Sequence, residues 1–173
     1  VTATESVDLS DVVRECCDTV ETSEMSLVCA TERTVDADRN RLKQLFENLL
    51  RNAVEHNAEP VTVTIGDLDD GFYFEDDGVG IRSGHFDDVF TAGYSTNPSG
   101  TGFGLSIVQQ IVEAHGWEIS VADSSAGGVR FEVTGAEPLR VYRSLGVDHR
   151  DGGAGDPVVA QPLGDERFEF VLR

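Results

Sequence analysis

The chain has 173 residues, of which 39% are apolar, and its 32 acidic and 13 basic residues give a formal net charge of −19. This length suits one domain with a sizeable core. Nucleic-acid phosphates are bound by basic surfaces, so the charge argues against a nucleic-acid partner. The sequence holds no run of about 18 apolar residues, and we therefore expect no membrane contact by this segment.

The start of the chain has neither a signal-peptide pattern nor an initiator methionine, so we expect a cytoplasmic fragment of a longer protein. Cys16, Cys17 and Cys29 form no disulfide framework and no zinc motif, and are expected to be reduced core residues. Acidic residues are scattered through the chain, and Lys43 is its only lysine. This pattern favours a halophilic protein, whose self-repulsion concentrated salt would screen; an ordinary acidic cytosolic protein is the alternative.

Two helices and a strand are predicted in the first third of the chain. Ser10 is expected to cap the first helix, and residues 26–30 read as a short strand. A long helix is predicted over residues 38–57, where apolar residues recur at spacings of three and one. Its apolar residues are Leu42, Leu45, Phe46, Leu49, Leu50, Ala53 and Val54.

Two asparagines, Asn48 and Asn52, lie one turn apart beside this apolar stripe, and Glu55 and His56 continue the same edge. Asparagine is a mediocre helix former, so the pair needs a reason. One reason is a pair of satisfied amides at the seam between helix and sheet. The other is a ligand site, because the amide oxygen is a hard donor that suits Mg²⁺.

A β-hairpin is predicted next, with strands at residues 61–65 and 72–75 around an Asp-Asp-Gly turn. The return strand delivers Asp76, Gly78 and Gly80 in the pattern Asp-x-Gly-x-Gly. The carboxylate could accept a hydrogen bond from a ligand N–H, and the glycines would let that ligand lie against the backbone. A tight acidic turn is the alternative.

A glycine-rich helix start follows. Residues 82–90 are expected to form a short helical turn, and the polar residues 91–99 a mobile lid. The stretch Gly100-Thr101-Gly102-Phe103-Gly104 opens a helix over residues 102–115, which Gly116 should end. Such a stretch is either a tight turn or a phosphate cradle, because the unpaired N–H groups of a first helical turn attract anions.

The C-terminal third changes character after Gly135. We expect residues 1–135 to form the folded domain and residues 136–173 to be an acidic, glycine-rich extension of unknown role. Residues 146–157 have no periodicity and read as loop or disorder. Strand-like segments lie at residues 117–122, 128–133, 138–144 and 167–172.

Three features in fixed order resemble the GHKL superfamily of ATP-binding domains: the Asn-bearing helix, the strand ending in Asp-x-Gly-x-Gly, and the Gly-x-Gly-x-Gly helix start. More narrowly, residues 8–134 are similar to the catalytic and ATP-binding domain of a two-component sensor histidine kinase, and the acidic composition suggests a haloarchaeal one. The resemblance implies an α/β (α+β) two-layer sandwich of the Bergerat type, with a mixed, mostly antiparallel sheet covered on one face by three helices. The N box, first glycine box, F box and second glycine box match residues 47–56, 76–81, 88–91 and 100–106.

The resemblance also implies roles for individual residues, with ATP lying between the Asn helix and the lid. Asp76 would accept a hydrogen bond from the adenine amine, and Gly78 and Gly80 would let adenine approach. Asn52, supported by Asn48, would bind the Mg²⁺ that bridges the phosphates, so these two asparagines are the implied catalytic residues. Further implied nucleotide contacts are His56, Phe90, Ser95, Thr96, Gly100, Thr101, Gly102, Phe103, Gly104 and Leu105.

The N box separates transfer from hydrolysis. ATP-hydrolysing members of the superfamily carry a general-base glutamate at the position of Asn48, which cannot take a proton. Glu47 would point about 100° away, toward solvent. The resemblance therefore implies a protein-histidine kinase, whose chemistry depends mainly on positioning and charge neutralisation. Its phosphoacceptor would be a histidine on a dimerisation hairpin of the same or a partner chain, with a response regulator downstream.

Three departures from the family pattern keep alternatives open. The lid, residues 91–99, contains no lysine or arginine, and Glu55 stands where many kinases have a basic residue. None of the four histidines lies in a phosphoacceptor pattern. A nucleotide-sensing interaction module without transfer activity and an anti-sigma-type serine kinase are the alternatives.

Overall fold

The computed structural model describes residues 3–17, 25–57, 60–81, 86, 88–91 and 102–137, and the backbone of residues 168–170. The helices in this part of the chain are α1 (Leu9–Cys17), α2 (Arg39–Glu55) and α3 (Gly104–Ala114), and none has both the length and the apolar character needed to span a bilayer. The strands are β1 (Glu5–Asp8), β2 (Met25–Ala30), β3 (Thr34–Ala37), β4 (Val61–Leu68), β5 (Gly71–Asp76), β6 (Glu118–Asp123), β7 (Val129–Thr134) and β8 (Phe168–Phe170).

Six of the described strands form one mixed sheet in the order β6-β7-β5-β4-β2-β8. β2 runs parallel to β4 and every other neighbouring pair is antiparallel, which confirms the predicted mixed, mostly antiparallel sheet. A parallel pair needs a long crossover, and α2 lies within it. β8 falls within the strand predicted over residues 167–172, whereas residues 138–144 and 146–157 lie outside the described part.

One face of the sheet is buried beneath the helices. Phe72 and Phe74 of β5 and Phe131 of β7 are each at most 1% exposed. The predicted apolar stripe of α2 packs onto them, and the ring centroids of Phe46 and Phe72 are 5.6 Å apart. α1 and α3 each contact α2. The predicted two-layer sandwich is confirmed. The buried residues of α2 are Leu42, Leu45, Phe46, Leu49, Leu50 and Ala53.

The N-terminal part differs from the prediction in two respects. Asp8, not Ser10, caps α1, because Asp8 Oδ1 accepts hydrogen bonds from Ser10 N at 2.8 Å and Asp11 N at 3.3 Å. A carboxylate just before the first helical residue reaches these N–H groups and is favoured by the helix dipole. β1 and β3 also form a two-stranded antiparallel sheet, in which Val7 pairs with Val35. These strands escape prediction because four residues carry too little alternation.

The ends of α2 and α3 lie within two residues of their predicted positions. α2 follows the N-cap residue Asp38. α3 is closed by Gly116, which has a φ of 75°. Gly116 N donates to Glu113 O at 3.0 Å and Trp117 N donates to Val112 O at 3.1 Å, the two hydrogen bonds of a Schellman motif. The prediction that Gly116 ends this helix is confirmed.

His115 joins the end of α3 to the beginning of α2. Its Nε2 accepts a hydrogen bond from Asp38 N at 3.0 Å, so Nδ1 carries the proton and donates to Ile111 O at 2.7 Å. The ring also stacks on Trp117, with centroids 4.6 Å apart. These contacts give His115 a structural role.

We predict that Gly116→Ala lowers the free energy of unfolding by about 1–2 kcal/mol, the cost of placing an L-residue in the left-handed region. Clashes with other parts of the protein add nothing to this cost, because a Cβ added at Gly116 meets no atom beyond its chain neighbours within 4 Å. Gly116→Asn should recover part of the loss, since asparagine tolerates this conformation. Urea denaturation followed by the fluorescence of Trp117, the single tryptophan, measures the effect. Equal stability of Gly116→Ala and the wild type would contradict the prediction.

Candidate functional site

A buried carboxylate lies at the end of β5. Asp76, the last residue of this strand, is 4% exposed. Its Oδ1 accepts hydrogen bonds from Gly78 N at 2.9 Å and from Val129 N at 3.4 Å. Burial raises the pKa of Asp76 above its usual value, and the two backbone donors act in the opposite direction. Both donors use Oδ1, so Oδ2 can accept a hydrogen bond from a ligand.

The carboxylate fits at this position because Gly128 has no side chain. A Cβ added at Gly128 would lie 2.2 Å from Asp76 Oδ1 and 2.6 Å from Gly78 N. Gly128 is absent from the sequence-derived site, although two glycines before a strand are a signal of close backbone approach. The surroundings of Asp76 are therefore built from two separate stretches of the chain, residues 76–78 and 128–129.

The loop after β5 is held against the sheet. Asp77 N donates to Thr62 O at 3.2 Å, and Asp77 Oδ1 accepts from Thr62 N at 2.6 Å. Gly80 has a φ of 68°, a left-handed conformation that favours glycine. A Cβ at Gly80 would also lie 3.3 Å from the carbonyl oxygens of the glycine pair before β7. Backbone geometry thus requires the glycine at position 80.

Gly78 faces a side chain that the sequence-derived site does not include. A Cβ at Gly78 would lie 2.1 Å from Oδ1 of Asn57. Asn57 Oδ1 also accepts a hydrogen bond from Val79 N at 2.8 Å. The space on the Cβ side of Gly78 is therefore filled by the Asn57 amide. From the sequence, Asn57 is predicted only to be the last residue of the long helix over residues 38–57.

The asparagine edge of α2 faces the start of α3. Asn48 Nδ2 donates to Gln44 O at 2.7 Å, and a Cβ added at Gly104 would lie 3.5 Å from Asn48 Oδ1. Asn52 is half-buried one turn further along, and its amide makes no hydrogen bond with the residues that the structure describes. His56 is the half-buried C-cap residue of α2. Asn48 Oδ1 thus lies on the Cβ side of Gly104, at the distance where an added side chain would touch it.

The N-terminus of α3 has no side-chain cap. Its N-cap residue, Phe103, makes no capping hydrogen bond and has a 52% exposed side chain. Gly102 directly precedes it, and Leu105 is partly buried against the core. First-turn N–H groups without a side-chain acceptor leave this helix end able to accept an anion. Outside the described residues lie the other predicted contacts of this region, Ser95, Thr96, Gly100 and Thr101.

Phe90, the predicted F-box residue, packs against the sheet. It is half-buried, and its ring centroid lies 6.3 Å from that of Phe131 in β7. Thr91 N donates to Asp88 O at 2.9 Å, which closes a turn at this point. Phe90 therefore anchors the chain to the core just before the predicted lid, of which residues 92–99 lie outside the described part.

Glu47 lies on the α1 side of α2, away from Asn48. Its carboxylate is 3.9 Å from Lys43 Nζ. Burial, with a smaller contribution from the charge of Glu47, raises the pKa of Cys16 in α1 to about 12. The side chain of Glu47 is 26% exposed, so it points away from Asn48 as predicted but is only partly in solvent. The reason is that α1 packs beside this part of α2, where Cys16 Sγ bonds Lys43 O at 3.5 Å.

Asn48 and Asn52 supply amide oxygens on this edge of α2. Among the described residues, no group of three or more His, Cys, Asp or Glu side chains could bind a metal ion. Mg²⁺ is usually held by one or two protein ligands together with substrate phosphates and water. Asn48 and Asn52 therefore suit a Mg²⁺ ion that arrives with a nucleotide.

Residues 37–137 match the family described as histidine kinase-, DNA gyrase B-, and HSP90-like ATPase. The sensor histidine kinase ZraS of Escherichia coli O157:H7 is 36% identical over 101 residues, which are 56% of this chain and 22% of that protein. The chain thus spans about a fifth of the length of this curated relative.

Solved structures show the same fold. The mycobacterial sensor histidine kinase MprB superposes with a TM-score of 0.67 at 27% identity, covering 79% of this chain and 100% of that one. Full-length ShkA in complex with AMPPNP superposes with a TM-score of 0.65 at 25% identity, covering 80% of this chain and 32% of that one. With more than half of its residues matched by the family, the chain belongs to the histidine kinase-, DNA gyrase B- and HSP90-like ATPases.

Proposed function

We propose that this chain is the catalytic half of a sensor histidine kinase, which binds Mg-ATP and donates the γ-phosphoryl group to a histidine on a separate dimerisation hairpin. The observation that carries the proposal is the buried carboxylate of Asp76, oriented by two backbone donors. The loop after Asp76 is bonded to Asn57 at the end of the asparagine-bearing helix. The likeness to ZraS and MprB supports a kinase rather than a topoisomerase.

Asp76 provides the adenine acceptor. Oδ2 of an ionised Asp76 would accept the exocyclic N–H of adenine, whereas guanine carries a carbonyl oxygen at the corresponding position. A site built to pair with one hydrogen-bond pattern rejects a ligand that lacks it. ShkA, which has the same fold, binds the ATP analogue AMPPNP, which supports a nucleoside triphosphate as the ligand.

Asn52, supported by Asn48, would hold Mg²⁺ together with the phosphates of ATP. The fit rests on the hard amide oxygens of this edge, which suit a Mg²⁺ ion that is held jointly with substrate phosphates. When bound, Mg²⁺ neutralises charge on the phosphates. The N-terminus of α3, which lies beside Asn48, would accept the phosphates themselves.

Phosphoryl transfer is favoured over hydrolysis. A general base for water must lie within hydrogen-bond reach of it, and the amide of Asn48 cannot take a proton. Glu47 pairs with Lys43 on the α1 side of α2. Asn48 therefore leaves this chain without a general base at the position where ATP-hydrolysing relatives have one.

The phosphoacceptor would lie on another segment. Of the two histidines among the described residues, His115 uses both ring nitrogens in structural hydrogen bonds, and His56 is the C-cap residue of α2. A response regulator would then receive the phosphoryl group from the hairpin. The reduced cysteines and the need for ATP fit the cytoplasm, the compartment that we propose.

Asp76→Asn should remove adenine recognition. The amide nitrogen that replaces one oxygen cannot accept a hydrogen bond, and a bond to a charged group contributes about 1.5–3 kcal/mol, so ATP binding should weaken by about 10- to 100-fold. Calorimetric titration with Mg-ATP measures this change. Asp70→Asn, which removes an exposed charge from the turn between β4 and β5, is the control and should bind like the wild type. Undiminished binding by Asp76→Asn would sink the assignment of the adenine acceptor.

The same substitution should change how stability depends on pH. The pKa of Asp76 is raised in the folded state, so the folded protein holds this proton more tightly than the unfolded chain does. Ionised Asp76 therefore costs stability at neutral pH, and the cost vanishes as the pH falls through the raised pKa toward the ordinary value of 3.8. Asp76→Asn should be at least as stable as the wild type at pH 7, with an advantage that shrinks on acidification. Parallel urea titrations check the sign, and an advantage that grows on acidification would contradict it.

Asn52→Asp should impair transfer more than it impairs nucleotide binding. Mutations around a metal site typically lower metal affinity or activity about 10- to 100-fold. We expect a loss of that size in the rate at which label is transferred from ATP to a separately expressed histidine-bearing hairpin. Asn40→Asp, at an exposed position of the first turn of α2, is the matched control.

The chemistry of the label decides between the kinase and its alternatives. Acid-labile label on the hairpin is expected for phosphohistidine. Acid-stable label would indicate a serine kinase instead. Tight ATP binding without any label would indicate a nucleotide-sensing module.

A further inference from the structure

Asn57 joins the end of α2 to the loop that follows Asp76. Asn57 Nδ2 donates to Ala53 O at 2.7 Å, which supplies a donor to one of the last carbonyl groups of the helix. Asn57 Oδ1 accepts from Val79 N at 2.8 Å. One planar amide therefore bonds both elements, with its donor turned to the helix and its acceptor turned to the loop.

Gly78 packs directly against this amide. A Cβ added at Gly78 would lie 2.1 Å from Asn57 Oδ1, 2.3 Å from Nδ2 and 2.4 Å from Cγ, far inside van der Waals contact. Gly78 is not among the described glycines with a positive φ, so its backbone conformation would accept alanine. The need for glycine at position 78 therefore comes from Asn57.

The other contacts of this loop lead to the sheet. Asp77 exchanges two hydrogen bonds with Thr62 of β4, and Gly80 packs against the glycine pair before β7. Val79 N, by contrast, donates to Asn57 Oδ1 at the end of α2. That hydrogen bond ties the loop to the helix as well as to the sheet.

We infer that Asn57 is a positioning residue that sets the separation between the adenine acceptor Asp76 and the metal-binding Asn52. This inference rests on the proposed function, because it requires one ATP molecule to engage both residues. Asp76 begins the loop that Asn57 holds, and Asn52 lies in the last turns of the helix that Asn57 caps. Fixing the two elements before ATP binds reduces the ordering cost that binding must otherwise meet.

Asn57→Ala should weaken Mg-ATP binding about tenfold, the effect of losing roughly one well-placed hydrogen bond. It should also reduce the preference for ATP over GTP, because Asp76 is no longer held in register with the bound phosphates. Asn40→Ala makes the same change at an exposed position of α2 and should leave both quantities unaltered. Calorimetric titrations with ATP and GTP measure the preference, which a general loss of stability does not move, and thermal unfolding of each variant reports that stability.

A double-mutant cycle tests the packing. Gly78→Ala alone should weaken ATP binding at least as much as Asn57→Ala, because the new methyl group displaces the amide. Once Asn57 is replaced by alanine, that methyl group has room, so the double variant should bind ATP like Asn57→Ala alone. Glycine required only for the approach of adenine would give losses that multiply in the double variant.

The outcomes separate this inference from the proposed function. If the wild type binds ATP while Asn57→Ala keeps its ATP affinity and its preference for ATP over GTP, the inference fails and the proposed function stands. Multiplying losses in the double variant, or lower stability with unchanged nucleotide preference, would likewise overturn the inference. Failure of the wild type to bind ATP would overturn the proposed function and the inference together.

Discussion

The desolvated carboxylate of Asp76 is the constraint on which the rest of the site depends. A charged group that is 4% exposed is costly unless hydrogen bonds replace the lost water. Gly78 N and Val129 N supply them, and both donors can approach only because Gly128 presents no Cβ. One buried charge thus ties together the end of β5, the loop after it and the start of β7. A side chain at position 128 would displace both the Asp76 carboxylate and Gly78 N.

The pleat of β5 explains how a residue at a strand end comes to be buried. Side chains alternate along a strand, so Asp76 shares a face with Phe72 and Phe74, which pack beneath the helices. β5 lies between β4 and β7 in the sheet, so neighbouring strands flank this strand on both sides. The carboxylate therefore points into the layer between sheet and helices, where α2 ends and Asn57 meets the loop. The fold brings a ligand acceptor and the asparagine edge to one side of the sheet.

The sequence predicts those parts of this arrangement that depend on neighbouring residues. The apolar stripe of α2, the β4–β5 hairpin and the closing glycine of α3 all follow from local spacing, and Asp76 stands out as a carboxylate between a strand and two glycines. The contacts that complete the site are not local: Val129 lies 53 residues beyond Asp76, and Asn57 lies 22 residues before Val79. Such contacts leave no periodic signal, so Gly128 and Asn57 emerge only once the sheet is assembled. The partial burial of Glu47 has the same origin, because it depends on where α1 packs.

The proposed phosphate side of the site is fixed by contacts at both ends of α3. Asp38 N bonds His115 Nε2 where α2 begins and α3 ends, and Asn48 Oδ1 meets Gly104 where α3 begins. At 1.5 Å per residue, the rise from Asp38 to Asn48 is about 15 Å and that from Gly104 to His115 about 16.5 Å, so the two spans are similar. The start of α2 contacts the end of α3, so the two helices run in opposite directions. The imidazole of His115 therefore holds the α3 N-terminus at a set height beside Asn48 from the far end of the helix. Under the proposed function, Asn57 would have the equivalent task on the adenine side, so α2 and the sheet together would hold the surfaces that meet the two halves of the nucleotide.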